Sequence, residues 1–535
     1  MLIDLPNELI YSIFNKLDLK SLINLSLTCQ HLFNCRRIYS NYFINLENKS
    51  KNEFDSICRI IDFNEINSLI LSENHRSPGQ IEYFCENYLN KDLNQLKSLK
   101  LIEINENNLE QMLKHLLNNF NLQTIEITFR EYFQILNCQS KILLYQVFSL
   151  ATLRKIVFDL KIYQNQSISW PKSNKIEEFS LLNLNLNQLI EIIRNSSKMK
   201  SLRLKNIEMK DFKIDSLNFL CLKEIQRFEI EESEFFFSNI ECLLLSMVNV
   251  QFIRLDVFTN SIENIFQNNQ FNEFFRTNFT RLKQFEFFIH FHRMYSNSFD
   301  LFCKQTRRSS SIEYYLNKHS NEMYFYSIPL IHHHFNYLDL PLTSPTFDFV
   351  QSLHLNPKDL KNSLGKEIKL ANVKSLKLTI DEQCSFDSIS KLICKDKLNE
   401  LSLIINSRSS YLNSTLNQFL IFQKEFVHLE SIEIFNRWHS IFSYVNINLF
   451  CSFLGKQIEH LNIDICHSNQ ILLLIEQLRS IKSFKFKYSF DKSTQIESIL
   501  NYLQRENVSF TSIVDIHYLA LWISQSNQNK RIKID

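Results

Sequence analysis

The chain has 535 residues, 44% of them hydrophobic and 13% aromatic, with 59 basic against 57 acidic side chains and a net charge of +2. That balance gives no support to a general nucleic-acid or membrane-surface binder, and the apolar content is enough for a large core. Glycine occurs only at 79, 365 and 455, which excludes the clustered-glycine loops that cradle phosphates, and no apolar run approaches the length of a bilayer span.

Helices are expected first. Pro6 suits the first turn of a helix, where its missing N–H costs nothing. Leu9, Ile10, Ile13, Phe14 and Leu17 recur at helical spacing on one face. Asp18 is placed to cap a second helix carrying Leu22, Ile23, Leu25 and Leu27. A unit of roughly 45 residues is marginal by itself and has more apolar positions than it can bury, so a partner is expected to cover the surplus.

These residues resemble the F-box, the motif that docks substrate receptors onto the Skp-type adaptor of cullin ubiquitin ligases. The Leu5-Pro6-Asn7-Glu8 opening, the Ile13-Phe14 pair, the Leu17-Asp18 step and the run from Leu22 through Leu25-Ser26-Leu27 to Cys29 match in order. The chain departs after Cys29, where Gln30, His31, Leu32 and Phe33 stand in place of the Arg-Trp pair of many members. The resemblance implies adaptor-facing roles for Leu5, Pro6, Ile13, Leu17 and Leu22. Because Met1 runs directly into this segment and the cysteines are scattered with no Cys-x-x-Cys pair, the expectation is buried free thiols in a cytoplasmic or nuclear protein.

From residue 60 onward the pattern apolar-x-x-apolar-x-apolar dominates. It begins at Ile66/Leu69/Leu71 and Leu96/Leu99/Leu101 and runs to Leu282/Phe285/Phe287 at intervals of 30, 26, 31, 23, 23, 26, 25 and 32 residues. It resumes at Val350/Leu353/Leu355 and ends at Ile481/Phe484/Phe486, at intervals of 23, 25, 31, 29 and 23. Helical patterns lie between copies, as in Leu109, Met112, Leu113, Leu116 and Leu117, in Leu186, Leu189, Ile190 and Ile193, and in Ile471, Leu474, Ile475 and Leu478. A strand and a helix at this period are similar to leucine-rich repeats, whose period is about 20–29 residues and whose neighbours bury each other's apolar faces. The family's Asn or Cys three positions after the last anchor is present at Asn74, Asn406 and Cys466 and mostly absent elsewhere.

The expected fold is therefore an α/β repeat: a short helical F-box followed by a leucine-rich-repeat horseshoe. The domains are expected at 1–45 (F-box-like), 46–292 (first repeat block), 293–349 (an irregular insertion or degenerate repeats, with Arg307-Arg308 and several tyrosines) and 350–535 (second block and C-terminal cap).

No chemistry-bearing constellation emerges. His332-His333-His334, with His290 and His292, is the nearest approach to a metal site, but consecutive histidines rarely converge on one ion and no Cys or carboxylate follows at ligand spacing. The expectation is no enzyme, no metal and no cofactor. The stretch Glu229, Glu231, Glu232 and Glu234 reads as a solvated acidic face. Residues flanking the strand anchors should point outward, and those in the middle of the array suggest a binding surface. Arg227, Glu229, Phe252, Arg254, Glu286 and Phe288 would set two exposed aromatics among charges. By resemblance the chain is a substrate-recognition subunit that binds the adaptor, is tied to the cullin scaffold, and captures an unknown protein target. The alternative is a leucine-rich-repeat interaction scaffold whose N-terminal helices are only a cap.

Overall fold

The computed structural model describes residues 5–14, 28–38, 42–74, 76–89, 93–129, 136–159, 170–172, 175–183, 186–206, 222–234, 243–259, 281–291, 312–317, 322–327, 334–335, 351–355, 370–380, 386–405, 412–436, 447–454, 456–465, 467–488, 493–506, 508–514 and 518–523, with residues 21 and 25. It divides into two compact units. One comprises Met1–Lys49, Glu53–Asn74 and Gln80–Phe285; the other comprises Ser50–Asn52, His75–Gly79 and Glu286–Asp535.

The first unit starts with helices α1 (Asn7–Phe14) and α2 (Gln30–Ile38), which pack on each other. Strands follow in chain order: β1 (Tyr42–Asn45), β2 (Ile66–Ser72), β3 (Ser98–Ile104), β4 (Thr124–Phe129), β5 (Lys155–Asp159), β6 (Glu178–Leu182), β7 (Ser201–Lys205), β8 (Arg227–Glu234) and β9 (Phe252–Thr259). Each pairs with the next, every pair parallel. Parallel neighbours need crossovers, and helices α3 (Lys51–Ile60), α4 (Gln80–Asn87), α5 (Glu106–Leu116), α6 (Cys138–Phe148) and α7 (Leu186–Asn195) lie in these connections.

The anchors form the core. Leu99, Leu101, Ile125, Ile127, Ile156, Leu181, Leu202, Leu204, Phe228 and Ile230 are all 0% exposed, as are Leu109, Met112, Leu113 and Leu116 on the facing side of α5. Pairing is in register anchor to anchor, with Leu202 beside Phe228 and Phe228 beside Ile253. One apolar spine therefore runs through successive repeats. Asn105 caps α5 by accepting from Asn108 N–H at 2.9 Å, and Asn137 caps α6 by accepting from Ser140 N–H at 2.8 Å. Phe148 stacks on Trp170 with ring centres 5.2 Å apart and meets Phe158 edge-on at 5.5 Å.

The sparse asparagine ladder is replaced by a different device. Glu103, Asn183 and Asn206 stand two positions after anchors Leu101, Leu181 and Leu204, with φ of 56°, 58° and 53°. Asparagine tolerates this left-handed conformation better than most residues. The turn lets Asn183 N–H donate to Lys205 O at 2.9 Å and Asn206 N–H to Glu231 O at 3.0 Å. Near β2, side chains take over: Gln80 accepts from Ser72 N–H at 3.0 Å and donates to Leu46 O at 2.8 Å. Buried Glu73 accepts from Asn108 at 2.6 Å and from Glu82 N–H at 3.1 Å.

The boundary between units falls within β10 (Gln284–Phe291). In the second unit β11 (Ile312–Asn317) and β12 (Glu322–Ser327) form an antiparallel pair, and β12 also pairs antiparallel with β10. Within the 293–349 stretch, residues 312–317 and 322–327 thus form an antiparallel hairpin, with Tyr315 opposite Tyr324. Strands β13 (His334–Phe335), β14 (Ser352–Leu355), β15 (Ser375–Ile380), β16 (Glu400–Ile405), β17 (Ser431–Asn436), β18 (His460–Ile465) and β19 (Ser483–Tyr488) are parallel in sequence order. Helices α8 (Asp387–Leu392), α9 (Leu412–Phe422), α10 (Ile447–Phe453), α11 (Ser468–Gln477) and α12 (Ser493–Arg505) accompany them. The last strands, β20 (Phe510–Val514) and β21 (Tyr518–Ile523), reverse direction, with β21 antiparallel to both β19 and β20. Every residue of β21 is buried, and Trp522 is 0% exposed. This hairpin ends the array, which suits the need of repeat arrays for an atypical terminal unit.

Candidate functional site

Two regions carry the residues singled out from sequence. In the first, Pro6 lies just before α1 and not inside its first turn; its carbonyl accepts from Leu9 N–H at 3.0 Å and Ile10 N–H at 3.2 Å. Ile10 and Phe14 are each 1% exposed. Leu5 and Ile13 are half-buried, and Pro6 is exposed. Leu9, counted from sequence as part of the same buried face, is 52% exposed. It sits beside Pro6 at the start of α1, so the exposed apolar edge comprises Pro6 and Leu9. Leu17 and Leu22 lie outside the described residues. The segment that departs from the Arg-Trp pattern is nonetheless helical: Cys29 Sγ accepts from Leu32 N–H at 3.4 Å at the start of α2, and Cys35 Sγ donates to Asn7 at 3.4 Å, tying α2 to α1.

The second region is the sheet face opposite the helices across β7, β8 and β9. Register sets Ser201, Arg227 and Phe252 in one row and Arg203, Glu229 and Arg254 in the next, with Lys205 beside Glu231 beyond. Arg203 donates through one Nη to both oxygens of Glu231, at 2.9 and 2.7 Å. Arg203 also lies 3.8 Å from Glu229, and Arg254 lies 3.8 Å from Glu231. Arg227 donates through Nε to Glu229 and lays its guanidinium over the Phe252 ring, 4.0 Å from the centroid.

For Glu229 and Glu231 this corrects the picture of a solvated acidic face; the side chains of Glu232 and Glu234 lie outside the described residues. The side chains of Glu229 and Glu231 are 8% and 11% exposed, while those of Arg203 and Arg227 are 49% and 51% exposed. Glu286 is likewise buried. Phe252 is half-buried beneath Arg227, not an open aromatic anchor. Phe288 lies in β10 opposite Tyr326, and its side chain is outside the described residues. Cross-strand charge pairing explains the difference: long arginine stems reach over the shorter glutamates and shield them. Arg203 and Glu231 point outward from the same strands by side-chain alternation, and register, which places opposite charges on adjacent strands, joins them to the expected site residues.

Burial alone would raise the Glu231 carboxyl, but the hydrogen bonds from Arg203 and the charges of Arg203, Arg254 and Lys205 outweigh it and hold its pKa below the usual carboxylate range. A depressed folded pKa contributes stability above the unfolded value of about 4.3, lost as pH falls through the folded value. Glu231→Gln should therefore flatten the acid limb of the stability curve below about pH 4.3. The effect should be about 1 kcal/mol, because Arg203 is half-exposed and screened. Urea titrations of both proteins across that range measure it, and superimposable acid limbs would contradict the pairing.

Elsewhere the site chemistry is sparse. Burial pushes the Cys85 and Cys451 thiols up to about 12, so neither is a thiolate near neutrality. Cys138 is exposed, against the expectation of uniformly buried thiols. Among the described residues no group of three or more His, Cys, Asp or Glu could hold a metal ion. His332 and His333 lie outside those residues. No described helix is long and apolar enough to cross a membrane.

Residues 2–35 match the F-box domain family. A solved structure, the leucine-rich-repeat-containing protein LegL7 from Legionella pneumophila, is similar at 14% identity over 46% of this chain and 90% of its own, with a TM-score of 0.27. No curated protein matches. The chain thus joins an N-terminal F-box domain to a mixed α/β array built on parallel strands.

Proposed function

We propose that this protein is the substrate-recognition subunit of an SCF-type ubiquitin ligase. Its N-terminal helices bind a Skp-type adaptor, the adaptor links it to the cullin scaffold, and a leucine-rich-repeat horseshoe holds a protein target. The F-box match at residues 2–35 carries this reading. The exposed Pro6 and Leu9 beside the buried Ile10 and Phe14 support it, because a hairpin that buries one face and leaves an apolar edge fits docking. Leu5, Pro6, Ile13, Leu17 and Leu22 are the adaptor-facing residues. Arg227, Glu229, Phe252, Arg254, Glu286 and Phe288 belong to the target-facing surface. The role needs no catalytic group or cofactor of its own, since holding a target near a ubiquitin-charged enzyme raises its effective concentration. It places the protein in the cytoplasm or nucleus.

The test is affinity purification with and without residues 1–45, followed by mass spectrometry. The full chain should recover adaptor, cullin and target, and the truncated chain should recover the target alone. Recovery of neither adaptor nor cullin by the full chain would leave a leucine-rich-repeat scaffold in place of a ligase subunit. Recovery of adaptor without cullin would point to a non-degradative assembly.

A further inference from the structure

The formal charges of the β7–β9 face nearly cancel, yet what faces solvent does not. The Glu229 and Glu231 side chains are 8% and 11% exposed and already accept hydrogen bonds from Arg227 and Arg203. A cationic partner would have to displace those bonds and reach carboxylates covered by arginine stems. The Arg203 and Arg227 side chains are about half-exposed, at 49% and 51%. Each guanidinium has five N–H donors. Among the described residues Arg227 hydrogen-bonds through Nε to Glu229, and its side chain is 51% exposed. The Arg227 guanidinium lies over the Phe252 ring, 4.0 Å from its centroid, a cation–π contact that restrains it. The buried acids thus position the bases, and the most exposed charged groups of the face are planar guanidinium donors suited to bidentate carboxylates.

We infer that this face binds an acidic peptide segment of the protein target, through Arg227 stacked on Phe252 and Arg203 clasped by Glu231. Carboxylate side chains on the peptide pair with the Nη edge of Arg227 and with the donors of Arg203 that Glu231 does not engage, and an adjacent apolar side chain covers the remaining half-buried ring of Phe252. Charge complementarity sets the preference, and the burial asymmetry sets its sign. The inference rests on the receptor reading given above, in that it takes the occupant to be a captured protein target.

The experiment uses the full chain and fluorescence polarisation of a labelled peptide of glutamate, aspartate and leucine, with its glutamine/asparagine/leucine counterpart. The acidic peptide should bind about tenfold more tightly, and Arg227→Gln should remove most of that difference. Arg227→Lys, which keeps the charge, should recover only part of it, since lysine lacks the bidentate fork. Equal binding of both peptides, no binding of either, or an unchanged preference in Arg227→Gln would overturn the inference. So would equally tight binding of polyuridine RNA, because the face would then respond to charge alone. Adaptor capture is measured on the same preparation. Adaptor bound with no acidic preference defeats this inference and leaves the receptor reading standing; acidic preference with no adaptor bound defeats the receptor reading and leaves the surface standing.

Discussion

If the N-terminal helices dock as proposed, alanine at both Pro6 and Leu17 should abolish capture of a Skp-type adaptor by the chain. Pro6 is exposed immediately before α1, and its carbonyl starts the helix by accepting from Leu9 and Ile10. Removing the ring and a second apolar anchor should cost several kcal/mol, on the order of the energy a few central interface residues carry between them. Leu9→Ala, at a 52% exposed position, should weaken capture without loosening the hairpin. Phe14→Ala should do both, because Phe14 is 1% exposed and lies where α1 packs on α2. The strand array should stay folded in every case, since repeats depend on nearest neighbours. Pull-down with purified adaptor, alongside circular dichroism, separates these outcomes; a double mutant that recovers adaptor at normal yield would remove the docking assignment.

The largest stability loss is expected at Phe148→Ala. This ring is 0% exposed, parallel to Trp170 at 5.2 Å and edge-on to Phe158 at 5.5 Å. It lies at the end of α6, so its loss opens a cavity between that helix and β5, where Phe158 sits. Truncating a buried phenylalanine costs about 3–5 kcal/mol, and the lost aromatic pairs add to the transfer and cavity costs. Equilibrium denaturation should show the first unit unfolding at lower denaturant, with adaptor capture at low denaturant retained. A loss below about 1 kcal/mol would mean that the neighbouring rings collapse into the space.

Much of the backbone plan was legible before any coordinates. Anchors such as Leu99/Leu101, Ile125/Ile127 and Leu202/Leu204 are recognisable because a strand with one buried face repeats every second residue, and they are all fully buried. The helices over 106–116 and 468–477 follow from the same logic at a period of 3.6. The F-box segment was readable because its order of residues is specific, and the family match agrees. The left-handed turns at Glu103, Asn183 and Asn206 were not foreseen, since they satisfy the backbone two positions after the anchor and replace a motif expected at three.

What the sequence by itself determined is the periodic part: which strand anchors face the core, where the copies of the pattern fall, and that an F-box segment comes first. Local spacing and residue type suffice for that, because burial of one face is decided within a single strand or helix. Strand direction at the end of the array was decided only by tertiary structure. Tyr518–Ile523 lies beyond the last copy of the pattern; the short connection from Val514 makes it antiparallel to β20, and only the folded chain sets it beside β19. The charge of the β7–β9 face was also decided there. Arg227, Glu229 and Phe252 give no hint singly that the acids would be covered and the bases left outward. That outcome depends on which side chains parallel register sets side by side, and on long arginine stems lying over shorter glutamates.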